Sequence, residues 1–222
     1  MTNLNQNGRS MIEMLGVLAI IGVLSVGGIA GYSKAMMKFK INKTIDQIAM
    51  TVTNIRTLYA QQRTYDGLAS TNAYDMGVVD DAMANGAQTT GNNSLKNAFN
   101  GPVTITTGVS GSVGERDVKT TGSTPVYKGA FILTFGNLPR EACVAIATND
   151  WGSNYSSGLL GIKTAATTAA AADFACYVKG GRETNGTDTG MACSSDGPLS
   201  VASAATGCDC SSYACSVSLK YY

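Results

Sequence analysis

The 222-residue sequence contains no histidine, and this absence removes several classes of function at once. Histidine is the commonest general base in enzymes and the commonest metal ligand, so histidine-dependent catalytic triads are excluded. Charged residues are also scarce, at 14%, and the formal net charge is only +1. Proteins that bind nucleic acid usually present a basic face to the phosphates, so the composition gives no case for a nucleic-acid partner.

Motifs for nucleotide chemistry and nucleophilic catalysis are missing as well. No phosphate-binding loop of the form G-x4-G-K-[ST] occurs, and no nucleophile motif is present. The single tryptophan, Trp151, is interpreted as a packing residue. We therefore predict no catalytic residues, no cofactor and no enzymatic activity. A membrane-anchored enzyme is the weaker alternative.

Cysteine is absent before Cys143, and all six cysteines lie at or beyond that position. This clustering suggests disulfides and hence an oxidising compartment. Cys208, Cys210 and Cys215 could in principle bind a soft metal. Zinc sites usually show C-x2-C pairs and often histidine, so we predict no metal. Six cysteines allow 15 pairings, and spacing alone does not choose among them.

Charge is missing from one long stretch near the N-terminus. The 20 residues from Met14 to Ser33 carry no charge, and as a helix they would extend about 30 Å, enough to cross a bilayer. Glu13 stands at the start of this stretch, and an acidic side chain near the bilayer centre costs about 3 kcal/mol. Either Glu13 lies at the headgroup level of an ordinary anchor, or it needs a positive partner such as a neighbouring chain's amino terminus.

An apolar stripe follows the uncharged stretch. Its members recur at helical spacing and are Ile41, Ile45, Ile48, Val52, Ile55 and Tyr59. The spacing predicts that one helix runs from about residue 10 to 62, apolar in its first half and amphipathic in its second. The stripe is interpreted as a core face rather than a coiled-coil seam.

The remaining chain is predicted to form short strands and loops. Residues 66–128 are rich in Gly, Thr, Ser and Asn, which is typical of a long loop region with short elements. Pro139 favours the start of a short helix through Ile146, and Leu95–Phe99 suggests a helical turn. The run 164–172 is ambiguous between helix and loop. The predicted strands are Val103–Thr107, Tyr127–Phe135, Gly158–Lys163 and Val217–Tyr221. The fold class is therefore α+β, a long N-terminal helix packed on a small antiparallel sheet.

The segment Gly8-Arg9-Ser10-Met11-Ile12-Glu13 resembles the processing site of type IV prepilins. The resemblance implies that a prepilin peptidase cuts after Gly8, which makes Arg9 the first and Glu13 the fifth residue of the mature chain. It also implies that Glu13 pairs with the amino terminus of an adjacent subunit during assembly. Arg9 is basic where the family usually has a large apolar residue, commonly N-methylated. An ordinary secretory signal is disfavoured because no basic residue precedes Arg9.

Three further segments resemble type IVb pilins of the kind found in conjugative thin pili: NIRTLYAQQRTYDGL, LKNAFNGPVTI and FILTFGNLPREACVAIATNDWG. This resemblance covers much of the chain up to about Gly161 and implies the type IV pilin fold with a disulfide-tied C-terminal region. It implies a disulfide from Cys143 to Cys193, with Cys215 as the competing partner. The extra cysteines would form local staples; they are Cys176, Cys208, Cys210 and Cys215.

The domains expected from these patterns are a leader at 1–8, a transmembrane and filament-core helix at 9–33, its amphipathic continuation at 34–62 and a globular head at 63–222. The resemblance implies a homo-oligomeric filament used for adhesion, aggregation or conjugation. Its expected partners are the prepilin peptidase, the inner-membrane assembly machinery and, before assembly, the membrane itself. The alternatives are a minor pilin or a pseudopilin of a type II secretion system.

Two features disagree about which side of the membrane the head occupies. The lysines after the apolar stretch favour the cytoplasm by the positive-inside rule; they are Lys34, Lys38, Lys40 and Lys43. The cysteines and the processing motif favour the periplasm. We expect an inner-membrane precursor with a periplasmic C-terminal domain, which then becomes part of an extracellular pilus.

Overall fold

The computed structural model describes residues 11–62, 64–85, 94–109, 118–121, 124–127, 129–152, 157–167, 177–179, 182–184, 191–193, 198–211 and 213–222. Contacts divide the chain into two compact units on either side of the Phe39–Lys40 peptide. The C-terminal unit contains every strand of the described residues, together with the second half of the long helix.

The long helix, α1, runs from Met11 to Leu58 and contains 48 residues. Its second half buries most of the predicted apolar stripe, including Ile48 and Ile55, whereas Ile45 is only half-buried. A second row of buried side chains on the same helix is polar and was not predicted; it consists of Thr44, Gln47 and Thr51. The helix therefore packs through an apolar row and a polar row side by side.

The main sheet has five antiparallel strands, and the strand order is β1-β4-β9-β5-β8. Its strands are β1 (Val103–Val109), β4 (Ala130–Leu138), β5 (Leu159–Ala165), β8 (Met191–Cys193) and β9 (Cys215–Tyr221). Two small hairpins pair β2 (Val118–Thr121) with β3 (Thr124–Tyr127) and β6 (Tyr177–Lys179) with β7 (Arg182–Thr184). The short helices are a 3-10 turn at Asp81–Met83, α2 at Arg140–Ala147 and α3 at Val201–Gly207.

The predicted α+β class is confirmed, and most predicted elements occur near their expected positions. The strand expected at Tyr127–Phe135 is divided, because β3 ends at Tyr127 and β4 begins at Ala130. The helical turn expected at Leu95–Phe99 is wrong: Leu95 forms a β-bridge with Ala84, and a turn follows. Of the ambiguous run 164–172, the first two residues belong to β5 and residues 168–172 lie outside the described part.

A series of aromatic ring contacts joins the end of α1 to the centre of the sheet. The ring of Tyr59 lies 5.4 Å from that of Tyr65, which meets Phe131 of β4 edge-on at 4.8 Å. Phe131 in turn stacks on Tyr221 of β9 at 5.8 Å. Aromatic pairs at these separations contribute about 0.5–1.5 kcal/mol each beyond the burial of their surface. The ring series therefore fixes the helix on the two central strands.

Asn97 holds the turn before β1 against β4. Its Oδ1 accepts hydrogen bonds from the backbone N–H groups of Phe99 and Gly101, and its Nδ2 donates to the carbonyl of Gly136 at 2.8 Å. Gly101 is required there, since an added Cβ would collide with the carbonyl oxygen of Gly136. The amide is buried, so each of these groups depends on the others for its partner.

Replacing Asn97 with Leu is expected to destabilise the protein by about 3 kcal/mol, because three buried backbone groups would lose their partners. Gln47 is the matched comparison: it is also buried, but neither its nitrogen nor its oxygen has a partner in the described structure. Gln47→Met should therefore be neutral or stabilising. Urea unfolding measures both variants, and equal destabilisation by the two would contradict this assignment.

Alkaline pH is expected to weaken the ring series. Burial raises the pKa of the Tyr221 phenol and, to a lesser degree, that of Tyr65, although the charge of Arg56 acts in the opposite direction on both. A raised pKa in the folded state means that the stabilisation is complete below about pH 10 and is lost as the pH rises through the folded value. Tyr221→Phe should therefore flatten the fall in stability above about pH 10. Unchanged pH dependence in Tyr221→Phe would contradict the prediction.

Candidate functional site

The part of α1 before Phe39 leaves its apolar side chains uncovered. An 18-residue window of this helix has a mean hydropathy of 2.2, and none of that window is buried within the chain. Met11, Ile12 and Val23 each expose three quarters or more of their surface. The helix is long and apolar enough to cross a membrane by length and composition. A continuous apolar surface of this kind needs a lipid or protein partner.

Glu13 lies in the first turn of α1 and is exposed. A carboxylate at this position interacts favourably with the partial positive charge of a helix N-terminus, an effect of about 0.3–1 kcal/mol. No other charge follows until Lys34. Gly8 and Arg9 of the predicted cleavage site lie outside the described residues.

Five glycines interrupt this apolar part of the helix, and no described residue of the chain comes close enough to require them. A Cβ added at any of them would meet no atom within 4 Å; the positions are Gly16, Gly22, Gly27, Gly28 and Gly31. Glycine within a helix costs about 1 kcal/mol relative to alanine. Small residues do permit close approach between helices in a membrane. Their use here is therefore consistent with contacts made outside the single chain.

Two disulfides are assigned in the C-terminal region, and one of them ties it to α2. Cys143, within α2, is bonded to Cys208, which follows α3, with the two Cα atoms 5.9 Å apart. Cys210 is bonded to Cys215 at the start of β9, with a Cα separation of 5.4 Å. The sulfur atoms of Cys143, Cys208 and Cys215 lie within 4.8 Å of one another. Because all three are disulfide-bonded, they do not present the thiolates that a soft metal would need.

The pairing of Cys143 with Cys193, or alternatively with Cys215, is wrong in this structure. Cys193 is disulfide-bonded at the end of β8, but not to Cys143. The reason is α3, which was not predicted: it carries Cys208 back to α2, where α2 and α3 pack together. Cys176 lies outside the described residues.

Sequence features that could have revealed α3 are visible in retrospect. Ser200 caps the helix, with its Oγ accepting a hydrogen bond from the N–H of Ser203, and alanines follow before Gly207. A serine cap before an alanine-rich run with a glycine at its end is typical of a short helix. An exposed ion pair, 3.0 Å long, joins Arg140 of α2 to Asp209 just after α3 and contributes less than about 1 kcal/mol.

Comparison with known families identifies the protein family of this chain. The family model described as Bundlin matches residues 34–222. This chain belongs to the Bundlin family. The match begins at Lys34, so membership in the Bundlin family does not depend on the N-terminal processing motif. The predicted relationship to type IVb pilins is confirmed, whereas the specific likeness to conjugative thin pili stays a prediction.

Relatives of this Bundlin chain include two major structural subunits of bundle-forming pilus. The one from Escherichia coli O127:H6 (strain E2348/69 / EPEC) is 26% identical over 149 residues, which is 67% of each chain. The one from Escherichia coli O111:H- is 27% identical over 149 residues, again 67% of each chain.

Solved structures of type IV pilins also resemble the chain. The type IV b pilin from Salmonella typhi matches with a TM-score of 0.44 and 19% identity, over 81% of this chain and 98% of that one. TcpA, a type IV pilin from Vibrio cholerae El Tor biotype, matches with a TM-score of 0.45 and 14% identity, over 82% and 99%. TM-scores at this level do not support an assignment of function.

The two disulfides are expected to differ in their contribution to stability. Cys143–Cys208 closes a loop of 65 residues and Cys210–Cys215 a loop of 5. In the chain-entropy description, these contribute about 4 and about 2 kcal/mol respectively. Replacing both cysteines of the first pair with alanine should therefore lower the free energy of unfolding more than replacing both of the second. Mass mapping of non-reduced peptides checks the pairing, and a Cys143–Cys193 peptide would contradict it.

Proposed function

We propose that this chain is the structural subunit of a type IVb pilus. The observation that carries the proposal is the uncovered apolar half of α1, which is continuous with a second half that packs into a disulfide-tied domain. Membership in the Bundlin family supports it, because curated relatives are major structural subunits of a pilus. The family assignment likewise supports a structural rather than an enzymatic role.

In this proposal, the apolar half of α1 has two successive environments. It first lies in the inner membrane, where its 20 uncharged residues match the thickness of the hydrocarbon core. It then packs against the same helix of neighbouring subunits in the filament, and the heads form the outer surface. The glycines that have no contact within the chain would allow these helices to approach closely.

The proposed maturation step is cleavage after Gly8 by a prepilin peptidase. Cleavage creates an α-amino group at Arg9, four residues before Glu13. We propose that this amine pairs with Glu13 of an adjacent subunit, since a carboxylate entering an apolar filament core needs an opposite charge. Inside such a core the attraction between two unit charges is far stronger than in water.

The proposed location of the head before assembly is the periplasm. Disulfides form and persist in oxidising compartments. Among its described residues the head contains the disulfides Cys143–Cys208 and Cys210–Cys215. The lysines after the membrane segment favour the opposite side. The disulfides carry more weight, because exposed side chains such as Lys34 and Lys38 can contact neighbouring subunits in a filament.

A minor pilin is the second candidate role, and a type II secretion pseudopilin is the third. All three classes share the N-terminal motif. The relatives favour the first role, because they are named major structural subunits. Long filaments that consist mainly of this chain would distinguish a major subunit from both alternatives.

Glu13→Val is expected to lower incorporation into filaments by at least about tenfold, because it leaves the neighbouring amine unpaired in the filament core. Asp46→Asn is the matched control, since it removes an exposed carboxylate from the same helix outside the apolar part. Sheared filaments are quantified against total membrane-bound chain. Normal incorporation of Glu13→Val, or an equal loss in the Asp46 variant, would contradict the proposed pairing.

Gly8→Val serves the same experiment as the processing control. It should leave an uncut precursor in the membrane, detected by mass, and no filaments. Its non-reduced peptides should contain the Cys143–Cys208 bond if the head is already periplasmic. A reduced precursor would contradict the proposed location, and normal cleavage of the variant would contradict the proposed site.

A further inference from the structure

Sulfur atoms from the two assigned disulfides meet in one buried cluster, where α2, the end of α3 and β9 come together. The Sγ atoms of Cys143, Cys208 and Cys215 lie within 4.8 Å of one another, and all three residues are fully buried. Cys215 is nevertheless bonded to Cys210 and to neither of the other two. Its Sγ also lies 3.3 Å from the carbonyl oxygen of Cys208. A short movement would therefore bring a sulfur of one bond onto a sulfur of the other.

Of the four cysteines in these two bonds, only Cys210 is not buried. It is half-buried and is flanked by the exposed Asp209 and Ser211, whereas its partner Cys215 lies inside the cluster. Thiol–disulfide exchange begins when a thiolate attacks an accessible sulfur, and the other sulfur of that bond leaves as a thiolate. Attack on Cys210 would therefore release the thiolate of Cys215 directly beside the buried bond.

We propose that Cys210 is a modification site for a small external thiol, and that Cys215 passes the exchange on to the buried Cys143–Cys208 bond. In the first step the external thiolate bonds to the Sγ of Cys210, the Cys210–Cys215 bond breaks, and Cys215 keeps the electron pair. In the second step the Cys215 thiolate attacks one sulfur of the buried bond, forms a disulfide with it and releases the other as a thiolate. The proton lost by the external thiol is then taken up by the released sulfur.

The exchange changes which elements are covalently joined. Cys143 lies in α2 and Cys208 directly follows α3, and these two helices pack together. Whichever sulfur Cys215 attacks, the bond between Cys143 and Cys208 is broken. The new bond joins β9 either to α2, on which it already packs, or to the end of α3. A thiol that reaches one surface cysteine therefore removes the covalent link between two packed helices.

The test uses the full-length chain in detergent micelles with its disulfides intact, incubated with reduced glutathione and then alkylated to stop exchange. Cleavage before Asp209 and after Tyr213 places the last three cysteines on separate peptides. Mass mapping should show glutathione on Cys210 before either cysteine of the buried bond, followed by a peptide that links Cys215 to one of those two. Glutathione that first appears on the buried bond, or no reaction at Cys210, would overturn the proposal.

Replacing both Cys210 and Cys215 with alanine distinguishes this relay from a purely structural role. Loss of the Cys143–Cys208 peptide in glutathione should become at least about tenfold slower, because the nucleophile held beside the bond is gone. A disulfide that only stabilises the fold predicts the opposite, since its removal should loosen the cluster and speed up the reaction. An equal or faster loss in the double variant would therefore contradict the relay.

Cys210→Ser gives a second measurement that needs no added thiol. It leaves Cys215 as a free thiol beside the buried bond, so a peptide linking Cys215 to Cys143 or Cys208 should form in the monomeric chain at about pH 8.5. Cys215→Ser is the matched control: it frees Cys210, which is not one of the three clustered sulfurs, and should leave the buried bond intact. Exchange in neither variant, or equal exchange in both, would overturn the proposal.

The exchange site goes beyond the pilus function proposed above, and the two proposals fail separately. Filaments that lack this chain would contradict the pilus function and leave the peptide maps unaffected. Conversely, filaments built from this chain would keep the pilus function even if the Cys143–Cys208 bond never exchanged with Cys215.

Discussion

The structure depends on one unsatisfied requirement: an apolar helical stretch of about 30 Å that stays uncovered among the described residues. Its 20 consecutive uncharged residues expose an apolar surface that water disfavours by roughly 25 cal/mol for each Å². A bilayer and a bundle of identical helices both satisfy this requirement. The same segment can therefore serve first as an anchor and later as the centre of an assembly, without changing its secondary structure.

The C-terminal unit is built so that the second half of this helix is firmly held. Aromatic rings connect Tyr59 to the two central strands, and the Asn97 amide fixes the turn that leads into β1. The C-terminal disulfides then tie the edge formed by α2 and α3 to β9.

Periodic features of this fold could be predicted from sequence, and features set by tertiary contact could not. The helix, β1 and β9 each show the repeat expected of their secondary structure, and β4 was visible as a run of apolar residues. The partner of Cys143 depends on α3, so cysteine spacing alone could not supply it. Likewise, nothing near Asn97 in sequence indicates that its amide donates a hydrogen bond to the carbonyl of Gly136. Nothing near Arg56 indicates that its guanidinium donates to the carbonyl of Ser157. Glu13 could be singled out from its local sequence alone, because a charge at the edge of an apolar run is unfavourable unless it has a partner or lies at the interface.

Electron cryo-microscopy of filaments purified from cells that express this chain tests the central claim most directly. The account predicts filaments in which this chain is the repeating subunit, with residues 11–33 packed against the same helix of neighbouring copies at the centre. The domain that contains the five-stranded sheet should form the outer surface, with the Cys143–Cys208 bond intact. Filaments without this chain, or with residues 11–33 exposed at the surface, would contradict the account.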